Sequence, residues 1–100
     1  MKYFKVKWIH DNPDDPVWLY SELDDTSWEI RKVEVFPDGS FGFAGEGSEV
    51  GGSALALEPI PSIAEISADT QFVPTEIKVE EFEEMWNQRL DRRRKSERGG

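Results

Sequence analysis

The sequence predicts an α+β domain: an antiparallel meander of four or five strands, with a short helix and a long C-terminal helix packed on one face. Three observations carry this. The first half alternates apolar and polar residues and is cut at regular spacing by turn residues. A run near the C-terminus switches to helical spacing, with apolar side chains at Val79, Phe82, Met85, Trp86 and Leu90. The 100 residues suffice for one modest core, and four Trp, six Phe and two Tyr supply large apolar bodies for it.

Lys2 to His10 alternates strictly, with Phe4, Val6 and Trp8 on one side and Lys5 and Lys7 on the other. The segment DNPDDP stops this strand, because each proline lacks a ladder donor and restricts the residue before it. Val17 to Leu23 reads as the second strand, DDTS as a turn, and Trp28 to Phe36 as the third strand. Asp38-Gly39 marks a hairpin, since glycine accepts a positive φ at little cost, and Phe41 to Ala44 opens a fourth strand. Residues 45–53, GEGSEVGGS, read as a flexible crossover loop, and Ala54 to Leu57 as a short edge strand. Ser62 and Glu65 have capping-box spacing, which predicts a helix over Ile63 to Ser67. Pro74 is expected to break the chain. The long helix then runs from Val79 to about Arg94, with acids near its start and Arg92 to Lys95 near its end, as the helix dipole favours. Residues 1–90 form the domain on this reading, and 91–100 a basic, frayed tail.

Strand parity divides the sheet into two faces. A symmetric first turn sets Trp8 opposite Leu19. Phe4, Val6, Trp8, Val17, Leu19, Leu23, Trp28 and Ile30 then share the face that the long helix covers. Trp18, Tyr20, Lys7 and Arg31 share the opposite, wetter face with Glu22 and Glu29, and form an aromatic–basic patch. Aromatics and arginine are enriched where partners bind, so this patch is a candidate binding surface. The competing reading folds residues 45–60 over it and buries Trp18. Val33 and Val35 fit the helix-covered face only if a β-bulge lies near Arg31-Lys32.

The formal charge of −9 is uneven. Residues 1–90 hold 7 Lys/Arg against 19 Asp/Glu, whereas residues 91–100 hold 5 against 2. An acidic body repels nucleic acid and anionic membrane, so neither is expected as a partner, and a basic protein is. The absence of cysteine excludes a disulfide framework, a thiolate metal site and a Cys nucleophile. No apolar run approaches the ~20 residues of a membrane span, and MKYFKVKWIH does not form a signal-peptide block, so a cytoplasmic location is expected.

The motifs give little chemistry. His10, beside Asp11 and near Asp14 and Asp15, has the makings of a general base or a ligand site, but no nucleophile or oxyanion-hole motif accompanies it. It reads as a turn cap held by a carboxylate. The two aspartate pairs, Asp14-Asp15 and Asp24-Asp25, fail the calcium-loop pattern: they lack its glycine and fall at opposite ends of a meander. The glycine-rich loop lacks the Gly-Lys-Ser/Thr of a phosphate cradle and carries Glu46 and Glu49. No catalysis, cofactor or metal is expected. Gly99-Gly100 would suit a conjugated modifier, although such tails normally follow a strand.

Trp8, His10, Asp11, Pro13, Pro16-Val17, Tyr20-Ser21-Glu22, Trp28-Glu29, Arg31 to Phe36 and Asp38-Gly39 together resemble a family of small bacterial proteins, a domain of unknown function. The resemblance runs from Met1 to about Leu90. It implies a stand-alone bacterial cytoplasmic domain and no particular activity. The expectation is a non-catalytic protein-binding domain, one version being an immunity-type inhibitor of a basic toxic enzyme. The alternatives are a metal- or ligand-binding protein centred on His10 and its aspartates, and the di-glycine modifier.

Overall fold

The computed structural model describes residues 1–94. The Gly99-Gly100 tail, and the modifier reading it prompts, lie outside the described residues. The architecture is α+β, an open antiparallel sheet of six strands with two helices. The strands are β1 (Lys2–Trp8), β2 (Trp18–Leu23), β3 (Glu29–Val35), β4 (Phe41–Gly45), β5 (Ser48–Val50) and β6 (Phe72–Glu76). Helix α1 (Ile63–Ser67) precedes β6, and α2 (Val79–Gln88) follows it. The sheet order β5-β4-β3-β2-β1-β6 is a five-stranded meander with β6 added beyond β1.

Two strands depart from expectation. The fifth lies inside the glycine-rich segment and not at Ala54 to Leu57. Gly45 and Gly47, at φ +132° and +85°, turn the chain so that Ser48–Val50 pairs with Phe43 to Gly45. The sixth contains Pro74, which was expected to interrupt the chain. An edge strand tolerates proline because only one side must donate to a ladder, and β6 pairs with β1 alone. The capping box at Ser62 and Glu65 forms as predicted. Helix α2 ends at Gln88, short of Arg94, and the chain turns back toward β4.

Strand pairing corrects the assignment of faces. Val6 lies opposite Leu19 and Lys7 opposite Trp18, a shift of two residues from the symmetric turn that leaves parity intact. The bulge does exist, between Glu22 and Leu23 on one side and Glu29 to Arg31 on the other. It leaves Val33 beside Tyr20 and Val35 beside Trp18, so both valines join the Trp18 face. Phe41 and Phe43 follow them through the pairings Val35–Phe41 and Val33–Phe43. This is the face that α2 covers. Its core consists of Tyr20, Val33, Phe41, Phe43, Phe82 and Trp86, with Tyr3, Trp18, Val35, Val50, Ile77 and Met85 packed around it.

The opposite face is crossed by the segment after β5. Because β5 and β6 lie at opposite edges, the chain must pass from one to the other. The buried Ser53 hydroxyl donates to Glu34, the Ala56 N–H donates to Glu29 at 2.9 Å, and the Ile60 N–H donates to the Ser27 carbonyl at 2.8 Å. Glu29 is itself buried, tied to the Ser21 hydroxyl and to Lys32. Gly42 is required beneath this crossover: a Cβ there would stand 2.4 Å from the Ser53 oxygen. Residues of the crossover therefore cover the face opposite Trp18. Trp28, expected in the core, is 42% exposed.

Candidate functional site

The candidate patch of Lys7, Trp18, Tyr20 and Arg31 separates into two parts. Tyr20 is 8% exposed and belongs to the core, where burial raises its pKa, with Lys5 opposing and Glu81 and Glu84 adding to the rise. Arg31 turns under α2 instead of facing solvent. Its guanidinium is held by Glu22 and Glu83, and lies 4.9 Å from the Phe82 ring centre and 5.0 Å from that of Trp86. The Tyr3 hydroxyl donates to the same Glu22 at 2.7 Å. That network clamps α2 to the sheet. The expectation of a solvent-facing Tyr20 and Arg31 fails because the helix takes their face.

Lys7 and Trp18 remain accessible at the β1–β2 end of the sheet. Trp18 is half-buried, its ring 6.4 Å from that of Tyr20. The Lys5 and Lys7 ammonium groups lie 5.4 and 5.9 Å from the centre of its ring, within cation–π range. Lys5 also donates to Glu81 of α2 at 2.8 Å, and this bond raises the lysine pKa. Trp18 thus forms a shelf beside the N-terminal half of α2, where Glu80, Glu81 and Glu84 are exposed. Such a surface offers an aromatic body, two ammonium groups and a row of carboxylates.

His10, Asp11, Asp14 and Asp15 fold into the neighbouring turn. The His10 Nε2–H donates to the Pro16 carbonyl at 2.8 Å, and its Nδ1 accepts from the Asn12 N–H at 3.0 Å. A carbonyl can only accept and an amide N–H can only donate, so these partners fix the tautomer. The cap is therefore backbone-held, not carboxylate-held as expected. Asn12 organises the rest, accepting from the Asp14 N–H and donating to the Asp15 carboxylate. Trp8 packs edge-on to His10 and stacks on Phe72 of β6. Among the described residues, no three His, Cys, Asp or Glu side chains are grouped to hold a metal ion. The turn of Asp24 and Asp25 lies at the other end of β2, as the meander requires.

Residues 2–91 match the family model described as Domain of unknown function (DUF6881). The chain belongs to this family. No curated protein and no solved structure matches it significantly. In this DUF6881 chain the surface missed by sequence reasoning is the acidic side of α2 next to Trp18. Its signal was present in Glu80 and Glu84, four residues apart and off the apolar stripe. A shallow concavity elsewhere is lined by Leu55 to Pro61 of the crossover alone. No described helix is long and apolar enough to cross a membrane.

Proposed function

We propose that this domain is a non-catalytic protein-binding module that engages a basic segment of a partner through the Trp18 shelf and the acidic face of α2. The observation that supports it most is Glu80 and Glu84, both exposed, one helical turn apart. Like charges at that spacing cost a helix roughly 0.2–0.5 kcal/mol, offset in part by their place near the N-terminus. Among the described residues no base within 4 Å relieves them: Lys5 is taken by Glu81, and Arg31 by Glu22 and Glu83. A cationic side chain from a partner would. An inhibitor of a basic toxic enzyme in the bacterial cytoplasm is one form such a module takes.

The test is capture from the native host, with bound proteins identified by mass spectrometry for the wild type and for Glu80→Gln/Glu84→Gln. A basic protein recovered by the wild type and lost by the folded variant supports the reading. Identical recovery by both rejects it.

A further inference from the structure

The described part of the basic C-terminal segment has a place in the fold. Arg89, Arg92, Arg93 and Arg94 fall within six positions of a chain that holds 21 acids and 12 bases. Among the described residues, the ion pairs within 4 Å involve the N-terminus, Lys5, Arg31 and Lys32, and none of these four arginines. Three of them lie over rings instead, and Arg93 is exposed. The Arg89 guanidinium lies 3.9 Å from the Trp86 ring centre and 5.4 Å from that of Phe43. Those of Arg94 and Arg92 lie 3.9 Å from Phe36 and 6.0 Å from Phe41.

The backbone beneath them is anchored. The Phe41 N–H donates to the Arg92 carbonyl and the Arg94 N–H to the Phe41 carbonyl, both at 2.7 Å. These bonds fill the stretch of the β4 edge that β5 leaves open, since β5 pairs only from Phe43 onward. Residues 91–94, expected to fray, are therefore tied to the sheet. Arg92 Nε donates to Gln88 and Arg89 Nη1 to the Trp86 carbonyl, while the buried Arg89 Nε has no hydrogen-bond partner among the described residues.

We propose that this arginine–aromatic surface is a second binding face, which takes an acidic peptide segment of a partner protein. Guanidinium forks match carboxylates two bonds at a time. Planes already held on rings lose less freedom on binding. Screening over about 8 Å at physiological ionic strength means that a short acidic segment meets the arginines, with Asp91 an opposing charge next to Arg92 in the chain and Asp38 one that Arg94 reaches in space. A nucleic acid strand carries its charge along its whole length and would meet the acidic body as well. This inference stands independently of the Trp18 surface, at the other end of α2.

The full chain is titrated with octaglutamate and, separately, with an oligothymidylate of equal charge, following the arginine Nε–H and Trp86 indole NMR signals. Octaglutamate is expected to shift the Arg89 and Arg92 signals, less so as salt is added. Arg92→Gln/Arg93→Gln leaves Arg89 and Arg94 on their rings and should weaken binding about fivefold. Silence toward octaglutamate, a response to the oligothymidylate alone, or an unchanged affinity in the double variant overturns the proposal and leaves the arginines as covers for the aromatic rings.

Discussion

Arg31 of β3 and Glu22 of β2 face each other across the sheet and share a two-pronged contact beneath α2, with the Arg31 Nη2 2.9 Å from the Glu22 carboxylate. Both side chains are largely withdrawn from water, at 13% and 8% exposure. Removing one partner strands the other charge, which costs about 3–5 kcal/mol for a buried pair. Arg31→Met should therefore lower the unfolding free energy by roughly 3 kcal/mol in urea titration. Restoring balance with Arg31→Met/Glu22→Gln should recover part of the loss. A single variant as stable as wild type would show that the contact carries no stability.

The same pair sets a pH dependence. Arg31 is the largest cause holding the Glu22 pKa below its ordinary 4.5, and the Tyr3 hydroxyl also lowers it. A carboxylate with a lowered folded pKa contributes stability above its unfolded value, and that contribution is lost as pH falls through the folded one. Stability should decline as pH drops below about 4.5. Glu22→Gln should flatten that decline, which urea melts at stepped pH values would register.

Gly42→Ala should cost about 1–3 kcal/mol, because its Cβ drives against the Ser53 oxygen and the Gly51 and Val50 carbonyls. The crossover then lifts, and the Ala56 amide, bonded to Glu29, loses protection in hydrogen exchange. Gly47→Ala meets nothing within 4 Å, carries only the strain of its φ of +85°, and should leave Ala56 better protected than Gly42→Ala does. Equal exchange in the two variants would contradict the packing described.

Tyr20→Ala should behave as a core truncation, destabilising by roughly 3 kcal/mol. Trp18→Ala should cost less, because that ring already keeps part of its surface in water, and the variant should stay folded at room temperature. Thermal melts of both settle the order.

Ser27 sits at φ +69°, a conformation that side chains resist. Its carbonyl accepts from Ile60, a bond that survives loss of the side chain. Ser27→Gly should therefore raise stability by about 0.5–1 kcal/mol, the relief of strain exceeding glycine's added freedom when unfolded. A lower melting temperature would count against this.

Much of the fold is legible in the sequence. Alternation and turn chemistry locate β1 to β4 within a residue or two, and the capping box places α1. The choice of face was not legible from the first three strands, because parity says which residues share a side but not which side the helix takes. The decision lies in β4, where Phe41 and Phe43 alternate with the small Gly42 and Ala44. Carried through β3, that contrast puts the bulk beside Trp18 and Tyr20. The edge strands escaped because both contain residues that ordinarily argue against strands, Pro74 in β6 and the glycines flanking β5. As for the candidate site, parity puts Lys7 and Trp18 on one side of the sheet, and they pair there. The withdrawal of Tyr20 and Arg31 depends on a long-range contact that no local pattern encodes.

The most direct measurement is an NMR titration of the isotope-labelled full chain with a lysine-rich peptide. Selective shifts of the Trp18 indole and of the amides of Glu80 to Glu84, abolished in Glu80→Gln/Glu84→Gln, are the expected result. Shifts spread evenly over the acidic turns at Asp14, Asp25 and Asp38, with Trp18 unmoved, would contradict a dedicated surface beside α2.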